Sequence, residues 1–153
     1  MGTIAAGKAG IRQFLQATEG LRDTDGVTVR STGNPLPAEM TTAMILLGSA
    51  TIAYEQAGLA GRAETPTVSC WAVAVKPGSG EDALDAARDA AEALYSLASD
   101  ALASDPTAAS SVPPPGRITV VAGGLEESPV DWDGAAAYRV DRAFSISWTS
   151  HIT

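Results

Sequence analysis

The sequence predicts an α+β chain in which one long and one short α-helix pack on a β-sheet that closes with a long C-terminal strand. Three stretches carry that expectation. Between Ser79 and Ala103, Leu84, Ala87, Ala91, Leu94, Tyr95, Ala98 and Leu102 form one apolar stripe at helical spacing, with Asp85, Arg88, Asp89, Glu92 and Ser96 largely off it. Thr67 to Lys76 is apolar on both alternating sets, Val68, Cys70, Ala72 and Ala74 against Trp71, Val73 and Val75, the pattern of a central strand covered on both faces. At the C-terminal end, Tyr138, Val140, Phe144, Ile146, Trp148 and Ile152 alternate with Arg139, Asp141, Ser145, Ser147, Thr149 and His151.

The remaining elements follow in order. Ile4, Ile11, Phe14 and Leu15 recur at roughly helical intervals up to Gly20 and predict a short amphipathic opening helix. Val27–Arg30 is a short β-prone run, and Gly33-Asn34-Pro35-Leu36-Pro37 is turn material. Ala43–Tyr54 reads as one or two strands broken near Gly48-Ser49. Gly58–Pro66 reads as an exposed loop, and Pro77-Gly78 stops the strand before the long helix. Ser79 or Gly80 caps that helix, with Glu81 and Asp82 at the positive end of its dipole. Asp105–Gly116, with three consecutive prolines, is a stiff connector. Arg117–Val121 resumes β character, Gly123-Gly124 breaks it, and Asp131-Trp132-Asp133-Gly134 reads as a turn before the last strand. Arg142 interrupts the apolar face of that strand and predicts a bulge or a polar contact there. The chain is therefore expected to form one domain over residues 1–153, with mobile loops at about 31–41, 57–66 and 105–116.

Composition narrows the function. Ten Lys and Arg against 18 Asp and Glu give a net charge of −8, without the concentrated basic face that phosphate neutralisation on nucleic acid requires. Aromatics make up 5% of the chain, so small side chains build the core. Cys70 is alone and lies in an apolar run, which predicts a buried structural thiol. Met1–Gly20 shows no charged-then-apolar order, and no apolar run approaches the ~20 residues that span a bilayer, so a cytosol-like compartment is expected.

A search for chemistry turns up little. Nucleophile-elbow, phosphate-loop and zinc-protease patterns are absent, and His151 is the one histidine. The carboxylates of Asp131 and Asp133 lack the further oxygen ligands of a calcium loop, so a turn is the better reading. Gly78-Ser79-Gly80 precedes a helix, yet Glu81 and Asp82 stand where an anion would bind. Trp71, Trp132 and Trp148 have no interleaved basic residues and read as core or subunit contacts. No catalytic residue, metal or cofactor is expected.

The order of elements, with Thr67-Val68-Ser69-Cys70-Trp71-Ala72-Val73, Ala86-Ala87-Arg88, the Asp105-Pro106 loop, Tyr138-Arg139-Val140 and Phe144-Ser145-Ile146-Ser147-Trp148, resembles the tail terminator proteins of long-tailed bacteriophages. The likeness is to those of phages infecting high-GC actinobacteria in particular, and runs from about Val27 onward. It implies a mixed, mainly antiparallel sheet packed by helices, and a homo-hexameric ring at the head-proximal end of the tail tube. Such a ring stops tube growth and offers a docking surface to head-completion or connector proteins, while DNA passes through its lumen without sequence-specific binding. The setting so implied is the virion, assembled in the bacterial cytoplasm, with no membrane partner. Subunit contacts are expected on the loop carrying Asn34 and Leu36, on the loop carrying Arg62 and Glu64, and on the outer face of the last strand at Arg139 and Asp141. A heterologous ring contact is natural for a long half-polar strand that pairs beyond its own sheet. Rival readings are a head-tail connector or tail tube subunit, a contractile-injection component, and a small cytosolic ligand-binding domain or enzyme whose site no motif exposes.

Overall fold

The computed structural model of the chain describes residues 3–31, 42–56, 62–104, 118–148 and 150–152. Along them run α1 (Thr3–Gln16), a single 3-10 turn (Asp23–Asp25), β1 (Thr28–Ser31), β2 (Ala43–Gln56), β3 (Arg62–Pro77), α2 (Glu81–Ser104), β4 (Thr119–Trp132), β5 (Ala135–Ser147) and β6 (Ser150–Ile152). The strands form one sheet in the order β1-β2-β3-β5-β4, and β6 continues beside β3 past the end of β5. β1 runs parallel to β2, and the β2–β3, β3–β5 and β5–β4 pairs are antiparallel. The fold is α+β, with a mixed, mainly antiparallel sheet and one long and one short helix.

Gly48-Ser49 and Gly123-Gly124, which read as strand breaks, are bulges within continuous strands. In β2, Leu47 faces Cys70 and Ala50 faces Val68, so Gly48 and Ser49 together oppose Ser69. A Cβ on Gly48 would lie 2.6 Å from a ring carbon of Trp71 and 2.9 Å from the Ser69 carbonyl, which is why this position is glycine. The carbonyl of Gly48 accepts a 2.6 Å hydrogen bond from Lys8 Nζ of α1. In β4, Gly123 and Gly124 oppose Ala143 between the Ala122–Phe144 and Leu125–Arg142 pairs. Each bulge absorbs an extra residue and keeps the inward set in phase, so Ala50 and Leu125 both return to the helix side. The break expected at Gly123-Gly124 is therefore corrected: β4 runs on to Trp132.

The loop expected over 57–66 is corrected in its second half, because Arg62–Pro66 belongs to β3 and pairs with Gln56–Ile52. Pro66, which has no N–H to give a ladder, is what makes the segment resemble a loop in sequence. Its carbonyl accepts the Trp148 N–H at 3.4 Å, and a strand residue presents N–H and C=O to the same side. The missing N–H of Pro66 therefore faces Trp148, at the break between β5 and β6. The other expected loops, 31–41 and 105–116, lie outside the described residues, apart from Ser31 at the end of β1.

Both helices lie on one face of the sheet. α1 contributes Ile11 and Leu15, and α2 Leu94, Ala98 and Leu102, to a core with Ile45, Leu47, Cys70, Ala72, Phe144, Ile146 and Trp148. Further along α2, Ala87 and Ala91 rest on Ala74 and Val140, small residues that let helix and sheet approach closely. The apolar stripe read for α2 is the buried face, as expected. Arg142 makes a polar contact and not a bulge: its Nε lies 3.2 Å from Glu92 Oε1, and its guanidinium sits 5.5 Å from the centre of the Tyr95 ring. Tyr95 in turn packs edge-on against Phe144 at 5.3 Å. On the opposite face, Met44, Leu46 and Val73 form a separate buried cluster with Trp71.

Candidate functional site

Of the six residues expected at subunit contacts, Arg139 and Asp141 are brought together. Two residues apart on β5, they point to the face opposite the helices and form a two-pronged pair, Nε to Oδ1 at 2.7 Å and an Nη to Oδ2 at 3.0 Å. The side chains are 19% and 17% exposed, so the pair is partly withdrawn from water. Glu126, Glu127, Ser128 and Val130 of β4 line a polar groove with them. Arg62 and Glu64 stand at the first residues of β3, whose backbone pairs there with β2 and β6. Arg139 and Asp141 face Val75 and Val73, so roughly 35 Å of strand separates the two candidate sets. They do not form one site. Asn34 and Leu36 lie outside the described residues.

The expectation that the last long strand pairs beyond its own sheet is corrected by the strand order. β5 is flanked by β3 on one side and β4 on the other, and its backbone groups are committed to those ladders. Among the described residues, the outermost strands of the β1-β2-β3-β5-β4 order are β1 and β4. β4 carries a bulge, Pro129 and the adjacent Glu126 and Glu127, features that discourage open-ended pairing of an edge. At the β1 edge, Gln16 Nε2 of α1 donates to the Val29 carbonyl at 3.0 Å, so the helix covers part of that backbone.

The remaining candidates resolve into structure. Cys70 is buried, its thiol points to the Val68 carbonyl, and burial pushes its pKa up to about 12, with Lys8 opposing the shift. At ordinary pH it stays a thiol and a poor nucleophile. Asp133 and Gly134, with φ of 55° and 79°, form the two-residue turn between β4 and β5, as the Asp-Gly pair predicts. Trp148 is fully buried and stacks over Gly7 of α1, while Trp71 packs on the Gly48 bulge. His151 lies on β6, with its backbone opposite Ala63. Among the described residues, no group of three or more His, Cys, Asp or Glu is placed to hold a metal ion. No helix among them is long and apolar enough to cross a membrane.

A second polar groove escaped the sequence reading. Arg12 and Gln16 of α1 meet Val29, Arg30 and Ser31 of β1 at the opposite edge of the sheet from the Glu126 groove. Nothing in residue spacing links Arg12 with Arg30. Only the packing of α1 beside β1 does.

No family model matches the chain, and no curated protein matches it. Among solved structures, the chain is similar to one chain of the virion of a native gene transfer agent particle, with 18% sequence identity and a TM-score of 0.55 over 94% of each chain. The two share a fold across nearly their whole length.

Proposed function

We propose that the chain is a structural subunit of a phage-like virion and acts as a tail terminator, forming a six-membered ring at the head-proximal end of the tail tube. The observation that carries the reading is the full-length similarity in fold to a chain of a gene transfer agent virion, together with the element order that resembles tail terminators. The mechanism is geometric. One face of the ring matches the last ring of the tube, the other face does not match a further tube subunit, and growth stops there while head-completion proteins gain a docking surface. The net charge of −8 per chain favours transit of DNA through the lumen over retention. Arg62, Glu64, Arg139 and Asp141, with Asn34 and Leu36, are the proposed contact residues within this ring.

Counting copies in purified particles tests the assignment. A terminator is present as one ring, six copies per tail, whereas a tube subunit scales with tail length; a copy number that grows with tail length would reassign the chain to the tube.

A further inference from the structure

Among the described residues, two large apolar side chains are exposed, Leu97 at 39% and Val121 at 56%, and they stand on opposite layers of the molecule. Val121 lies on β4, and its pairing with Ser145 turns it to the sheet face that carries no helix. There it borders a shallow hollow of about 220 Å³ with Ser69, the half-buried Trp71, Gly123, Ala143 and Ser145. A Cβ on Gly123 would come within 3.2 Å of the Ala143 Cβ, so the absent side chain at the β4 bulge opens this hollow. Its lining bears no charged side chain. Leu97 stands on the helix layer. A Cβ on Gly20 would lie 3.0 Å from Leu97 Cδ1, so the leucine rests on the Gly20 backbone and is held there. Ala86 and Ala93 are exposed at helical spacing on the same flank of α2, whereas Arg88 and Glu92 reach Glu127 and Arg142 from the opposite flank.

We propose that copies of this chain meet head to tail through these two features, Leu97 of one copy seated in the hollow beside Val121 and Trp71 of the next. The inference rests on the ring reading above and adds which surfaces meet. Copies of net charge −8 repel one another, so uncharged surfaces are where they approach at least cost. An aromatic residue in an apolar centre with a polar rim is also the composition of protein contacts. Asp141 holds the next outward position of β5 after Ala143, so the Arg139–Asp141 pair continues the same surface. A protruding side chain on one layer and a hollow on the other make the contact heterologous, the kind from which rings are built. Three strands at ~4.8 Å and six residues at ~3.3 Å give roughly 300 Å² for the sheet patch. That is less than half of the ~800 Å² each partner gives to a standard interface, so a single junction is weak and assembly depends on ring closure or on the tail tube.

Leu97→Arg and Val121→Glu test it, separately and together. With folding verified by circular dichroism, native mass spectrometry across a dilution series, with and without tail tube, reads the concentration at which rings form. Each single variant is expected to need at least about tenfold more protein than the wild type, because a charge enters an apolar contact at every junction. The double variant is expected to return to within about threefold of the wild type, since the two introduced charges are opposite and meet at each junction. Should a charged variant fail to fold, the milder Leu97→Ala and Val121→Ala are each expected to weaken assembly about threefold. Wild-type rings with either single variant unaffected overturn the seating and leave the ring reading standing, as does a folded double variant no better than the singles. Loss of assembly through Val121→Glu alone points to sheet faces meeting each other and overturns the seating in the same way. A wild type that never assembles, with or without tail tube, overturns both.

Discussion

Replacing Gly7 with alanine sets helix propensity against packing at the point where α1 meets the C-terminal end of the sheet. In a helix interior, Gly to Ala is worth about 1 kcal/mol of stability when the site has room. Here it has none: a Cβ would press on the indole of Trp148, with Cε2 at 2.8 Å, Cη2 at 2.9 Å and Cζ2 nearer still. Carbon pairs rest at about 3.5–4.0 Å, so the ring must retreat by about 1 Å. It is 1% exposed in a close-packed core and has nowhere to go. Overpacking of this kind costs about 1–3 kcal/mol, so the variant is expected to lose about 1 kcal/mol net. Trp148→Phe opens the space, and in that background Gly7→Ala is expected to gain stability instead, a coupling of about 2 kcal/mol between the two sites. Urea denaturation followed by circular dichroism, at a protein concentration where one species is present, measures all four corners of the cycle. Equal stabilisation by Gly7→Ala in both backgrounds would refute the close approach of α1 to Trp148.

Further outcomes follow from other contacts. Ala91→Leu, on the face of α2 that rests on Ala74 and Val140, is expected to destabilise by about 1–3 kcal/mol in the same denaturation assay, whereas the exposed Ser96→Leu should not. Lys8→Met removes the donor to the Gly48 bulge carbonyl and is expected to cost about 1–3 kcal/mol. Because burial raises the Cys70 pKa from 9.0 to about 12, the folded state holds a proton that the unfolded state releases. That contribution to stability is intact below about pH 9 and declines as pH rises toward 12, by at most about 1.4 kcal/mol per pH unit; alkylation of native protein at pH 8 should be negligible and become rapid on unfolding. Arg62→Glu and Arg139→Glu are each expected to weaken ring assembly read by native mass spectrometry, and wild-type assembly by both would remove these residues from the proposed contacts.

Much of the fold is legible in sequence where one local rule decides the outcome. The stripe from Leu84 to Leu102 specifies α2 because helical spacing alone places those residues on one face. The Asp133-Gly134 turn follows from the need for two positive φ angles. Strand continuity across Gly48-Ser49 and Gly123-Gly124 is not legible, since a glycine inside a strand breaks it or bulges it depending on what lies opposite, here Ser69 with Trp71 and Ala143. Pro66 argues for a loop because its place opposite Trp148, just past the end of β5, is set by tertiary pairing. The placement of β5 inside the sheet and β4 at its edge is a matter of tertiary pairing, and alternation along Tyr138–Trp148 is the same for either position. For that reason Arg139 and Asp141 were identifiable as outward-facing polar residues, while their pairing with each other and the opposing arginine groove at Arg12 and Arg30 were not.

The central claim is assembly into a closed ring, and native mass spectrometry over a wide concentration range, on the protein alone and mixed with tail tube, addresses it most directly. A six-subunit species is expected in at least one of the two conditions. A strict monomer in both would contradict it.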